Sequence, residues 1–279
     1  MGERLPIGVC LRAIRAEPAW WLDSARRLDD AGYASLWCWD HFMGRGDLTV
    51  PVVEAWTTLA MAAAQTSRVT VGPFVLNVMN RHPALVARMA ATLQIASGGR
   101  LVLGIGIGGA PREHAAYGMP FPEARERVAR LEEAVAVIRA LWTGGPVTRA
   151  STYYPLTGAT AFPVPTPAPP IVIGGETPAG ARLAGRIGDG WSAFDSNFEA
   201  NLPLYLEALA ASGRSRHDQR VIVGFQGDWL GDETIATSPW VTEPRETWAR
   251  WRAAGADEAI VLARTTDDVD ALVAAVDRW

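Results

Sequence analysis

Lysine is missing from this 279-residue chain, so all 26 of its cationic side chains are arginines. That absence removes the phosphate-gripping lysine of a P-loop, and any Schiff-base lysine with the pyridoxal-phosphate chemistry that depends on it. Cysteine occurs only twice, at Cys10 and Cys38. Two are too few for a structural zinc site built from cysteine alone. Both fall in apolar runs and read as small buried hydrophobes. No apolar run reaches the roughly 18 residues that a membrane-crossing helix needs. The opening Met1-Gly2-Glu3-Arg4-Leu5-Pro6 carries no apolar leader, so a cytoplasmic protein is expected, with no membrane partner. Positive charge is also short: 30 acidic residues against 26 basic ones leave a net charge of -4. Binding a phosphate backbone requires clustered cations, so nucleic acid is not an expected partner.

What is present points to an α/β enzyme. With 49% hydrophobic and 20% charged residues, the length suits one domain of barrel size, spanning residues 1–279. Short β-branched runs at 7–11, 35–39, 69–76, 101–105, 171–173, 190–193, 221–225 and 259–262 predict strands. Between them lie amphipathic stretches with helix punctuation. Residues 17–31 stop at Gly32, 83–97 open on Pro83 and close on Gly98-Gly99, and 122–143 carry Val128, Leu131, Val135, Ile138 and Leu141 on one face. A closing helix is predicted over 269–276, after Thr266-Asp267-Asp268. About eight strands alternating with helices imply a parallel sheet with crossover helices, although periodicity does not tell a closed barrel from an open sheet. The Pro-, Thr- and Tyr-rich stretch 144–170 breaks the rhythm and reads as a hairpin excursion.

Three features carry chemistry. Gly104-Ile105-Gly106-Ile107-Gly108-Gly109 matches G-x-G-x-x-G literally. However, it ends the fourth strand, is followed by the irregular Pro-containing stretch 110–120, and has no acid-tipped strand downstream. A backbone cradle for an anion or a flat ring is therefore preferred over a dinucleotide fold, with a structural turn as the bland alternative. A second glycine-bearing strand end, Ile173-Gly174-Gly175-Glu176-Thr177-Pro178, precedes a helix start, where backbone N–H groups favour anions. Asp40-His41 follows the second strand, on the end where a parallel barrel keeps its active site, and His41 is a candidate for proton transfer. His82 and His114 also follow strands but have no helix-spaced partner ligands, so no metal is expected. His217 reads as a solvated turn. Most of the twelve tryptophans read as packing, with Trp20, Trp21, Trp248 and Trp251 assigned to the core or a subunit interface.

Several ordered segments resemble the bacterial-luciferase-like oxidoreductases, above all the branch that uses the deazaflavin coenzyme F420. They are 28–37, with Asp30-Ala31-Gly32-Tyr33; Trp39-Asp40-His41-Phe42; 54–60, with Glu54-Ala55-Trp56; 71–76 followed by Arg81-His82-Pro83; 99–106; 170–175; and 184–191, with Gly188-Asp189-Gly190-Trp191. The resemblance covers most of residues 5–195. It implies a closed (β/α)8 TIM barrel, a homodimer, and a ring cofactor at the C-terminal face. It places Asp40 and His41 beside the reactive ring edge, with His41 as the proton-transfer residue. Phe74 and Val75 match a bulge that backs the ring, often through a non-prolyl cis peptide, and Asn77 matches a contact to the ring edge. Gly106, Ile107, Gly108 and Arg112 match contacts from the fourth loop. Gly175, Glu176, Thr177, Ala179 and Gly180 match the loop that holds the phosphate tail. The implied activity is hydride transfer between coenzyme F420 and a small organic substrate. The alternatives are an FMN-dependent monooxygenase on the same scaffold and a non-catalytic flavin-binding protein. Sugar-phosphate dehydrogenases of the family carry an acid where Gly109 stands, as well as basic residues for the phosphate, so a sugar phosphate is not the expected substrate. The segment 231–244 is also short for the family.

Overall fold

The computed structural model describes residues 4–44, 47–225 and 234–279; the first three residues of segment 231–244 lie outside that set. The elements, in chain order, are β1 (Ile7–Leu11), α1 (Pro18–Ala31), β2 (Ser35–Cys38), α2 (Ala55–Gln65), β3 (Thr70–Pro73), β4 (Leu76–Asn77), α3 (Pro83–Ala96), β5 (Leu103–Gly106), α4 (Pro111–Ala116) and α5 (Ala124–Leu141). The hairpin β6 (Val147–Arg149) and β7 (Leu156–Ala159) comes next. It is followed by β8 (Ile171–Gly174), α6 (Pro178–Ile187), β9 (Gly190–Phe194), α7 (Asp195–Ala211), β10 (Arg220–Phe225), α8 (Pro239–Thr242), α9 (Pro244–Ala253), β11 (Glu258–Ala263) and α10 (Thr266–Ala275).

The main sheet is parallel throughout, in the order β3-β2-β1-β11-β10-β9-β8-β5-β4. β3 and β4 are two halves of one strand, interrupted at the cis Phe74–Val75 bond. The ring closes at that strand: Val71 bridges Leu101, its N–H donates to Arg100 O at 2.8 Å, and Val102 N donates to Val71 O at 3.0 Å. Among the described residues, nine strands with two sharing one position thus make an eight-position (β/α)8 barrel.

Local chemistry sets the boundaries. α1 opens on Pro18 and ends at Gly32, whose left-handed backbone (φ 99°) lets its N–H reach the Leu28 and Asp29 carbonyls. α2 is capped by the Glu54 carboxylate, which accepts from Trp56 N and Thr57 N at 3.0 and 2.7 Å. Two expectations are corrected. The stretch 110–120 holds the short helix α4, because Pro111 occupies a first-turn position that needs no N–H. The predicted strand 69–76 is split, with Phe74 and Val75 standing between its halves.

The excursion folds as predicted into an antiparallel hairpin, strapped to the barrel wall. Glu133 of α5 accepts from the backbones of Thr152 and Tyr153 and from the Ser151 hydroxyl, and the Arg130 guanidinium lies 4.4 Å from the Tyr153 ring. The N-terminal end of the barrel is plugged by a buried network in which Trp37 Nε1 donates to Ser35 Oγ, Ser35 donates to Glu258, and Arg220 pairs with Glu258. Trp21, Trp248 and Trp251 are core residues, which removes them as interface candidates, while Trp20 is half-buried with the Arg12 guanidinium 5.4 Å from its ring. Cys10 and Cys38 are free and buried, and burial pushes both thiols up.

Asp29 ties α1 to the entry of β3, accepting from the backbone N–H groups of Ser67, Arg68 and Val69 at 2.8–2.9 Å. Burial would raise its pKa, but these donors and Arg68 outweigh it and hold the carboxyl below its ordinary value. Its stabilisation is therefore present above the unfolded carboxyl pKa and is lost as pH falls through the lower folded one. Asp29→Asn leaves buried donors without an acceptor and is expected to cost about 1–3 kcal/mol in urea denaturation at neutral pH. The difference from wild type should shrink in acid.

Candidate active site

The loops after β2, β4 and β5 meet at the C-terminal rim. Asp40 follows β2 and is buried, with both carboxylate oxygens engaged. Asn77 N donates at 2.9 Å, Asn80 Nδ2 at 3.0 Å, and Arg81 Nη1 reaches each oxygen at 2.9 Å. Arg81 also pairs with Glu54, the cap of α2. Burial would lower the Arg81 pKa, but the two carboxylates more than compensate and raise it. Asp40 is therefore the pin that joins the second and third loops.

His41 stands beside it with its side chain 42% exposed, and its Nδ1 lies 2.8 Å from Glu113 Oε1. The other Glu113 oxygen accepts from Phe42 N at 3.2 Å, and Met43 adds a further backbone donor. Burial alone would lower the His41 pKa; the bond to Glu113 and the charges of Glu113 and Asp40 raise it. Glu113 shows the converse, since burial would raise it but His41 and the backbone donors pull it down. Sequence reasoning missed Glu113. The family resemblance implied the neighbouring Arg112, which is exposed, and α4, which carries Glu113, was not foreseen. The only local signal was an acid in the first turn after Pro111.

The structure gives the glycine run a different use from an anion cradle alone. Phe74 and Val75, successive residues, both face the barrel interior. Phe74 lies edge-on to Trp37 and Phe194, with centroids 5.7 and 5.9 Å away. Val75 lies over the glycines of β5 and β8: a Cβ on Gly106 or Gly174 would stand 2.9 or 2.8 Å from its methyl carbon, and one on Gly104 would meet Pro73 O at 2.2 Å. Those glycines make room for an apolar platform at the mouth. Gly108 has φ 75° and a Cβ there would strike the Asn77 side chain at 2.2 Å, whereas a Cβ on Gly109 would meet nothing within 4 Å. Gly108→Ala is thus expected to destabilise the loop, while Gly109→Ala leaves stability near wild type. Parallel thermal melts read the contrast.

The late loop assembles at the start of α6. Gly175 and Gly180 pack backbone to backbone, a Cβ on Gly175 falling 2.6 Å from Gly180 C, and Thr177 Oγ1 accepts from Gly180 N at 3.1 Å. Gly175, Thr177, Ala179 and Gly180 are thereby brought together at a helix N-terminus. The Glu176 carboxylate turns away to α7, accepting from Phe194 N and Asn197 Nδ2, and burial together with Asp195 raises its pKa. Asn77 Oδ1 accepts from Met79 N, and Ile107 O accepts from Arg127 Nε at 3.2 Å, so Arg127 holds the fourth loop. His82 caps α3, His114 is buried against Phe121 with Nδ1 3.1 Å from Ala110 O, and His217 is exposed. Asn80 Oδ1 is buried without a partner beside Asp40. An acceptor of this kind, an apolar platform and a glycine-lined helix N-terminus fit a flat ring carrying N–H donors and a phosphate-bearing tail.

A closed parallel barrel with a histidine–carboxylate pair and an apolar platform at its C-terminal rim is the arrangement on which TIM-barrel active sites are built. The sequence profile of luciferase-like monooxygenases matches residues 11–227, and the chain belongs to that family. It is 38% identical over 220 residues to an F420-dependent glucose-6-phosphate dehydrogenase of Kineococcus radiotolerans, covering 77% of this chain and 65% of that protein. It is 35% identical over 193 residues to an F420-dependent hydroxymycolic acid dehydrogenase of Mycobacterium tuberculosis, covering 68% of this chain and 53% of that protein. The chain thus spans less than two thirds of the length of these relatives. Among solved structures, an F420-dependent secondary alcohol dehydrogenase in complex with an F420-acetone adduct superposes with TM-score 0.83 at 22% identity, over 99% of this chain and 98% of that one. The EDTA monooxygenase of Chelativorans sp. BNC1 superposes at 0.76 with 16% identity, over 99% and 94%. At such identities these two likenesses speak for the fold.

Proposed function

We propose that the protein is an oxidoreductase that transfers hydride between coenzyme F420 and a small organic substrate bearing an activated C=C, a carbonyl or an alcohol. The observation that carries this reading is His41, held through Nδ1 by Glu113 at the ring platform. The F420-dependent relatives at 35–38% identity supply the cofactor. When bound, coenzyme F420 provides the carbon that carries the hydride. Phe74 and Val75 would back its ring, and Asn77 with the unpartnered Asn80 oxygen would meet its polar edge. Gly106, Ile107, Gly108 and Arg112 would flank it, while the backbone of 175–180 would hold the tail phosphate. Asp40 keeps His41 and the third loop in register, and His41 gives a proton to the substrate or takes one from it.

Gly109 and the absence of lysine support a substrate other than a sugar phosphate. We place the enzyme in the cytoplasm, a reading that the free cysteines support. We also propose a homodimer, for which the apolar face of α2 and α3, with Met61, Leu85 and Ile95 exposed, offers a surface; light scattering reads the state.

The test is parallel titration of the purified protein with F420 and FMN, followed by turnover on alcohols, enones and glucose 6-phosphate. Micromolar F420 binding, weak FMN binding and turnover without sugar phosphate are expected. Preference for FMN with oxygen consumption would replace this reading by the monooxygenase one, and ring binding without turnover by the non-catalytic one.

A further inference from the structure

We infer that Glu113 is the positioning residue of the proton-transfer step: it fixes His41 as the Nδ1–H tautomer, so that Nε2 is the atom exchanging the proton with substrate. This rests on the reading above for the word substrate, but the pairing itself rests on geometry alone. An ionised carboxylate only accepts, so the hydrogen between Glu113 Oε1 and His41 Nδ1, 2.8 Å apart, belongs to the imidazole. Nε2 is then the ring nitrogen left to face the rim, as a base when the ring is neutral and as an acid when it is charged.

Burial is split in the same sense. The Glu113 side chain is 6% exposed against 42% for His41, so the pair is anchored on its inner side and open on its outer one. The anchor is rigid because Glu113 also binds the Phe42 and Met43 N–H groups, while the Tyr117 hydroxyl donates to Phe42 O at 3.3 Å and its ring packs 5.7 Å from that of Phe42. α4 and the second loop are therefore joined through Glu113 and Tyr117.

Among the described residues, the charges that act on His41 are Glu113, from α4, and Asp40, from its own loop; Asp40 is balanced by Arg81. Glu113 is the carboxylate left to balance an imidazolium. Removing its charge is expected to lower the pH at which His41 titrates.

The test uses imidazole 15N NMR of the ligand-free protein, feasible because the chain has four histidines, with His41→Ala assigning the signal. In wild type, His41 should show the Nδ1–H tautomer when neutral. Glu113→Gln keeps an acceptor for the loop N–H groups. It is expected to move the His41 titration to lower pH, weaken the tautomer preference, and shift the matching limb of the kcat/KM pH profile the same way, with kcat reduced at least about tenfold. Glu113→Asp, which keeps the charge on a shorter arm, should restore part of the shift. An unchanged titration and tautomer signature in Glu113→Gln, with the fold intact by circular dichroism, overturns the inference. Absence of F420 binding alongside a Glu113-dependent His41 titration would remove the proposed function and leave the pairing standing. F420 turnover with no Glu113 dependence would do the reverse.

Discussion

His41→Ala is expected to lower kcat by at least about a hundredfold while leaving the dissociation constant for coenzyme F420 within about tenfold. The separation follows from where the ring sits. Its Nδ1 side is spent on Glu113, and the platform that would carry the cofactor is built by other residues: Phe74 and Val75 over the glycines of β5 and β8. Deleting the imidazole removes a proton carrier and leaves that platform unchanged. Loss of cofactor affinity and of turnover in the same proportion would make His41 a binding residue and remove its assignment to proton transfer. Stopped-flow hydride transfer with an equilibrium F420 titration on the same preparation separates the two.

Arg81→Met is expected to cost about 3–5 kcal/mol of stability, because it strands the Asp40 carboxylate in a buried site with only neutral donors left. The side chains of Asp40 and Arg81 are 1% and 10% exposed, so water does not replace the lost guanidinium. The same change frees Glu54, hence the entry of α2, from the rim. Asp40 would then no longer hold the second loop against Asn77 and Asn80, and F420 binding is expected to weaken together with stability. Urea denaturation and F420 titration measure both. A cost below about 1 kcal/mol would place the pair with exposed bridges such as Arg26–Asp23, where solvent screening leaves little.

Much of the barrel was legible before any coordinates. Parallel strands covered on both faces must be apolar along their whole length, so 7–11, 171–173 and 259–262 stood out as continuous runs, and the structure places β1, β8 and β11 there. Helix ends were equally readable, because Pro at a first turn and Gly at a left-handed cap act through the backbone of their own segment, as at Gly32 and Pro83. Ring closure did not come from periodicity. It was implied by the family resemblance, and the coordinates carry it as the pairing of Val71 with Leu101.

At the site, the boundary falls between single residues and their pairings. Asp40 and His41 were picked out by type and place alone, since a histidine after an apolar strand sits on the barrel's working face. Their partners were not. Glu113 lies 72 residues from His41, and Arg81 lies 41 from Asp40; strand register and loop course bring each pair together, neither of which leaves a mark at the partner's own position. The glycine run shows the same division. Its residues were visible in the sequence, but Gly106, like Gly174 of the later strand end, leaves room for Val75, and Gly104 leaves room for the Pro73 carbonyl, contacts between residues far apart in the chain. The sequence by itself determined most of the strands and helices, α4 and the split of 69–76 apart, and singled out Asp40 and His41, because these follow from residue type and from interactions within a few residues. The tertiary structure alone decided which carboxylate meets which cation, because that depends on how eight strand positions close into a ring.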